Sequence, residues 1–245
     1  MWPGGRSTSR ILPRAVPVTC LLLAALFLPI SHFGISSTRL RDVLVSRIGE
    51  QGYLGLYSLV TVAAFWWLIA AYRGAPGHPL WHAPPAVRSV AFVVVLLAFL
   101  ITVIGVATPN PTTVGAEKLF ERAGVVSGIL LITRNPFLWG VGLWGTAHIV
   151  ATGDAASLML FGSLVALSLG GSLLIDAKKA RRHGAQWQGF AALSSNVPFQ
   201  AIIEGRQQLR LDEIGWWRIM LAGAVFLAAL TAHRWAFGVS PLPMF

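Results

Sequence analysis

Six stretches of this chain contain no Asp, Glu, Lys or Arg: Val16–Ile30, Tyr53–Tyr72, Val90–Ala107, Phe137–Thr152, Ala155–Ile175 and Ile219–Ala232. Each is too long for a strand of a membrane barrel, and none alternates apolar with polar residues. The pattern therefore predicts helices, since only helices and closed barrels satisfy their backbone groups within a bilayer. A spanning helix needs roughly 17–25 mostly apolar residues. The second, third and fifth stretches reach that length alone. The others reach it by taking in flanking residues such as Ser31–Ile35 or Gly215–Trp217. The expected fold is all-α, a polytopic transmembrane bundle of about six helices in a single domain over residues 1–245.

The segments between the spans add detail. Thr152-Gly153-Asp154 separates the fourth and fifth spans so closely that they must form an antiparallel hairpin, with Asp154 placed to cap the fifth. Over Ala116–Leu131, apolar residues recur at helical spacing, which reads either as a short interfacial helix or as a lead-in to the fourth span. The stretch Trp187–Ile203 is too broken by Ser194, Ser195, Asn196 and Pro198 to span and too apolar for a free loop. It is expected to pack on the bundle or to re-enter the membrane. Arg6, Arg10 and Arg14 precede the first apolar run as in a secretion signal. No small-residue cleavage site follows, so the run is read as a retained first helix.

Composition agrees with this reading. The chain is 55% hydrophobic and 11% charged, where soluble domains carry about 25% charged residues. Its net charge of +10 sits between the spans, where it sets orientation and attracts the lipid bilayer's anionic head groups; nucleic acid is not implied. With the loops assigned alternately to two sides, thirteen Lys and Arg fall on one side and six on the side holding both termini. The basic side is thus expected to face the cytoplasm. The lone Cys20 reads as a packing residue.

Two histidines stand out as candidate chemistry. His32 and His148 lie in or at the edge of apolar runs, and an ionisable residue there usually faces the protein interior and serves a purpose. Imidazole is well suited to ligating a haem iron or another transition metal. Trp144 lies four residues before His148, on the same helical face, where the pair could line a flat aromatic ligand or simply pack. The basic cluster from Lys178 to His183 reads as a topological anchor with a solvated His183.

Several motifs then resemble one family in order. They are His32-Phe-Gly-Ile-Ser-Ser-Thr-Arg39-Leu-Arg41, Arg47-Ile-Gly-Glu50-Gln-Gly-Tyr53-Leu-Gly-Leu-Tyr57, Thr133-Arg134-Asn135-Pro136 and Leu143-Trp144-Gly-Thr-Ala147-His148. Glu213-Ile-Gly-Trp216-Trp217 and Phe237-Gly-Val-Ser-Pro follow near the C-terminus. From about residue 31 onward the chain resembles NnrU-type membrane proteins, with one departure: Asn135 stands where the family usually has His. The family takes its name from nitrite and nitric oxide metabolism. A more distant resemblance is to the 15-cis-zeta-carotene isomerases, haem b membrane enzymes whose axial histidines fall, by motif, on His32 and His148.

The resemblance implies a haem-binding, redox-linked membrane protein, in nitrogen-oxide respiration or in polyene isomerisation, in a bacterial inner membrane. Its partner could be a hydrophobic small molecule. His32 and His148 are the implied haem b ligands. Arg39, Arg41 or Arg134 could pair with the haem propionates as permanently charged planar donors. Depth strains this pairing. His148 is about twelve residues into its span, roughly 18 Å from the basic side at 1.5 Å per residue, whereas His32 is near that side. One iron then requires an oblique haem or a first helix that continues past His32; His233 is the depth-matched substitute.

Two other classes compete. Arg134-Asn135-Pro136 before an aromatic and Gly140 is similar to the cofactor motif of isoprenylcysteine-type methyltransferases, but the paired Glu of those enzymes is missing. A non-catalytic partner or maturation factor of a respiratory complex is the other. No zinc signature, Gly-rich phosphate loop or Ser-His-Asp arrangement is visible.

The charge asymmetry gives a first prediction. Reporters fused at the C-terminus and within the Lys178–Arg210 stretch should report opposite compartments, the latter cytoplasmic. An exported basic stretch would show that the N-terminal arginines set the topology instead.

Overall fold

The computed structural model describes residues 16–242, so Arg6, Arg10 and Arg14 lie outside the described residues. Eight α-helices follow one another: α1 (Val18–Ser36), α2 (Arg39–Gly74), α3 (Pro85–Val106), α4 (Ile129–Ile132), α5 (Pro136–Thr152), α6 (Ala155–Leu193), α7 (Gln200–Ile203) and α8 (Trp216–Phe237). Five of these, α1, α2, α3, α6 and α8, are long and apolar enough to cross a membrane. The remaining expected span, α5, has 17 residues, the lower end of what a bilayer core requires.

Local chemistry sets the helix ends. Pro85 and Pro136 open α3 and α5 at the first helical position, where proline's fixed φ suits the helix and its missing N–H costs nothing. Gly153 closes α5 in the left-handed conformation (φ 68°), and the Asp154 carboxylate accepts from Ser157 N–H at 2.9 Å to cap α6. The tight hairpin is therefore as the sequence implies. Two elements run beyond their expected extents, while the first span takes in its flanking residues as expected. The first span runs on to Ser36, carrying His32 inside the helix. α2 begins at Arg39, well before the apolar run, and bends at Gly49 (φ 73°). α6 continues past Ile175 to Leu193, bending at Gly184. The region Ala116–Leu131 does not form a continuous helix. Only a 3-10 turn, Glu117–Glu121, appears before positive-φ glycines at 124 and 128 break the path.

Six helices pack side by side in the order α2, α1, α6, α5, α3, α8. On one flank Leu21, Leu28, Leu68, Leu160 and Phe161 form a buried core shared by α1, α2 and α6. On the other, Ile104, Leu130, Ile214 and Ala222 join α3, α4 and α8. Within a bilayer, lipid is as apolar as leucine, so close packing has to replace the hydrophobic effect between helices. Small residues provide it. A Cβ on Gly140 would collide with Thr102 and the Ala98 carbonyl of α3; one on Gly145 would meet Val165 and Phe161 of α6. α5 thus presses its backbone against both neighbours.

Outward-facing side chains are apolar, as lipid contact requires. Leu59, Val62 and Trp66, on one stripe of α2, are each about two-thirds exposed or more. The ends of the bundle are tied differently. On the side opposite the basic loops, the α2–α3 and α5–α6 connections meet: Leu80 N–H donates to the Gly153 carbonyl at 2.7 Å and Ala155 N–H to the His78 carbonyl at 2.9 Å. On the basic side, the stretch after Leu193 folds back on the bundle. Ser194, Ser195 and Asn196 are buried there, in line with the packed alternative for Trp187–Ile203.

Gly140→Val should force α5 and α3 apart. Overpacking of this kind costs about 1–3 kcal/mol, so the tryptophan-monitored melting temperature in detergent should fall clearly. Gly162→Ala is the control, because a Cβ at Gly162 meets nothing within 4 Å.

Candidate functional site

His148 sits on α5 where that helix meets the start of α6. Its ring lies 4.5 Å from Trp144 and 4.7 Å from Phe161, centroid to centroid. Phe161 also meets Tyr72 of α2 edge-on, and Tyr72 reaches the Ser157 hydroxyl at 3.2 Å. The shared face inferred for Trp144 and His148 is therefore real; it meets Phe161 of α6, which Tyr72 of α2 backs. His148 Nδ1 is 2.8 Å from the Trp144 carbonyl oxygen. A carbonyl can only accept, so Nδ1 carries the proton and Nε2 keeps a lone pair, without a hydrogen-bond partner among the described residues. Fixing one imidazole nitrogen in this way is how metal-ligating histidines are oriented.

His32 lies near the basic-side end of α1, and its surroundings differ. The Tyr57 hydroxyl of α2 is 2.8 Å from Nδ1 and 2.6 Å from Nε2. Tyr53 stacks on Tyr57 at 5.9 Å, the Arg41 guanidinium lies 5.1 Å over Tyr53, and Arg41 pairs with Glu50 at 2.7 Å. A polar and aromatic ladder therefore runs from the membrane surface to His32. The tyrosines were missed as site candidates; their i, i+4 spacing was the available signal, but nothing local to them points at a residue 25 positions away.

The structure does not bring the two histidines together. Phe33, next to His32, lies against Gly170 of α6, while His148 lies against Phe161. Nine residues of helix separate these levels, about 13 Å. His148 fits a haem or metal donor by its free Nε2. His32 lies at a different level from His148, so one iron would reach both only if the group sat obliquely between α1 and α5, and the Tyr57 hydroxyl already bonds one nitrogen of His32. His233 lies on α8, which is held by α3; it stacks on Phe237 and bonds the Val239 carbonyl through Nδ1 at 3.0 Å. Among the described residues, no group of three or more His, Cys, Asp or Glu could hold a metal ion.

Of the arginines, Arg39 is exposed at the start of α2, while Arg134 is directed inward. Its Nε and one terminal nitrogen donate to Asp176 Oδ2 at 3.0 and 2.7 Å, and the other terminal nitrogen donates to the Ser194 carbonyl. Asn135 and Asn196 donate to the same carboxylate at 3.1 and 3.0 Å, and Trp139 Nε1 donates to Asn196 Oδ1. The Arg134 guanidinium also lies 5.1 Å over Trp187. Asn135 thus serves a structural network, where histidine at that position would present different donors. A second buried cation, Lys179, donates to the Pro111 carbonyl and to Glu117 at 2.9 Å. Burial pushes the Glu117 carboxyl up, but its bonds to Lys179 and to backbone donors outweigh this and hold it below the ordinary value.

Arg134→Ala would leave Asp176 buried without its cation. Breaking one side of a buried pair costs about 3–5 kcal/mol, so the variant should express poorly or melt well below wild type. Asp176→Asn with Arg134→Met should recover part of the loss. Equal stability of wild type and Arg134→Ala, by urea or thermal melts, would refute the role given to this pair.

Comparisons with known proteins bear on the whole of this arrangement. Residues 20–241 match the family described as NnrU protein. The 15-cis-zeta-carotene isomerase of Arabidopsis thaliana chloroplasts is 28% identical over 200 residues, covering 80% of this chain and 53% of that protein. The Zea mays isomerase of the same name is 33% identical over 86 residues, 35% of this chain and 24% of the other. At most, then, the chain spans about half the length of these relatives. No solved structure matches. With its family match running from the first helix to beyond the last, this all-helical membrane chain belongs to the NnrU family.

Proposed function

We propose that this protein is a haem b-linked membrane protein of a bacterial inner membrane, acting on an extended apolar substrate in the manner of a polyene cis–trans isomerase. One observation carries the proposal: His148, with its tautomer fixed by the Trp144 carbonyl, lies in an apolar helix against the rings of Trp144 and Phe161, and Tyr72 backs Phe161. The similarity to two isomerases supports the substrate class. Haem would supply one-electron redox chemistry at its iron. The aromatic wall would exclude water from that position and offer flat apolar surface to a conjugated ligand. His148 is the proposed first ligand, and the second lies between His32 and His233. Membership of the NnrU family supports a second setting for the same centre, nitrogen-oxide respiration. The methyltransferase reading is weakened because Arg134 and Asn135 donate to Asp176.

Absorption spectra of protein purified with ample haem supply test this directly. A Soret band should appear, and the visible bands should sharpen on reduction, as for a six-coordinate iron with nitrogen on both faces. His148→Ala should lose most of the haem. His32→Ala should lose haem or turn it high-spin, whereas His78→Ala, His82→Ala and His183→Ala should leave the spectrum unchanged. A loss with His233→Ala and none with His32→Ala would assign the second ligand to α8. A colourless wild-type protein would end the haem reading and leave a partner or maturation factor in its place.

A further inference from the structure

The last turn of α1, the first turn of α2 and the basic continuation of α6 surround a cavity of about 290 Å³. Five cations line it: Arg39, Arg41, Lys178, Arg181 and Arg182. Its one carboxylate is Asp42, 3.7 Å from Arg41, and hydroxyls come from the consecutive residues Ser36, Ser37 and Thr38. Arg41 is already paired with Glu50. Among the described residues the other four cations have no side-chain hydrogen bond or ion pair recorded. By contrast Arg134, Lys179, Arg206 and Arg210 each hold a carboxylate. Like charges crowded round a cavity raise its energy unless an anion enters.

Depth identifies the kind of anion. Lys178 follows Ile175, the last residue of the apolar run of α6, by less than one turn, and Ser36 ends α1. The cavity is therefore at the level where the bundle leaves the hydrocarbon for the headgroup layer. Ile30 on α1 and Leu173 on α6, five to six residues deeper than Ser36 and Lys178, are each 65% exposed, so apolar surface lies below the charges. Basic pockets between helices on a cytoplasmic face suit anionic lipid head groups. We propose that this cavity binds the phosphate of an anionic phospholipid between the α1–α2 turn and α6. The site does not depend on haem: a colourless protein would still have it.

The test uses the full chain in mild detergent, with phosphatidylglycerol or phosphatidylcholine added and retained lipid read by native mass spectrometry. Phosphatidylglycerol should be held saturably and phosphatidylcholine should not. Arg39→Gln and Arg181→Gln, both at exposed positions, should each weaken binding about fivefold, the worth of one basic residue near an anionic surface. Arg210→Gln, which alters a cation paired with Glu213 outside the cavity, should leave it unchanged. Circular dichroism and melting of each variant, and retention of binding in Arg39→Lys and Arg181→Lys, separate lost charge from lost fold. Equal weakening by Arg210→Gln would reduce the effect to general surface potential and overturn the site. Full displacement by inorganic phosphate would make it a small-anion site instead. Loss of the Soret band in Arg39→Gln with unchanged lipid retention would give the cavity to haem carboxylates.

Discussion

A carboxylate placed where α6 leaves the bilayer constrains everything on the basic side of this protein. Asp176 is largely shielded from water, and an ionised group in that setting is tolerated only with a cation and with hydrogen bonds on its remaining lone pairs. Arg134 supplies the cation, and Asn135 and Asn196 supply the further donors. Meeting that demand draws three separate segments to one point: the entry to α5, the continuation of α6 and the stretch that follows Leu193. The same stretch then satisfies the exposed backbone of α4 and α5, with Arg134 N–H donating to the Ser195 carbonyl and Phe199 N–H to the Ile132 carbonyl. Phe199 takes a positive φ of 66° to do so, a conformation a bulky residue adopts only when its surroundings require it.

His148 and His32 occupy opposite kinds of environment because α5 and α1 are held differently. α5 approaches both of its neighbours through glycines, so its register on α6 is fixed by backbone contact and His148 faces a dry aromatic wall. α1 packs along α2, and His32 bonds the Tyr57 hydroxyl beyond the bend at Gly49. One imidazole is tied to its own helix backbone, and the other to a tyrosine of the neighbouring helix.

What could be read from the sequence was local. The apolar runs located every spanning segment, because a bilayer demands uninterrupted apolar length. Asp154 as a cap and Gly153 as a turn followed from neighbours within four residues. Trp144 and His148 share a face by spacing alone. The contacts that organise the basic side join residues 20 to 68 positions apart, from Asp176 with Asn196 to Lys179 with Pro111, and no periodicity encodes them. Of the two readings of Ala116–Leu131, the interfacial helix gives way to a lead-in with one 3-10 turn, because Gly124 and Gly128 adopt positive φ, which ends a helix whatever its apolar spacing. Arg134 was legible as a functional-type cation at a span end, but its commitment to Asp176 depended on a fold-back that composition could not disclose.

The spatial order of the helices, α2, α1, α6, α5, α3, α8, is not the order in which the ribosome makes them. α1 can pair with α2 as soon as both have emerged, and α3 can later pair with α5, each from residues already synthesised. In the folded bundle α6 lies between α1 and α5 and joins the two pairs. A chain ending at Thr152 would hold these two pairs joined only by the short α2–α3 connection, without the helix that packs between them. Completion of the bundle's centre thus depends on α6, which also brings Phe161 to His148 and Asp176 to Arg134.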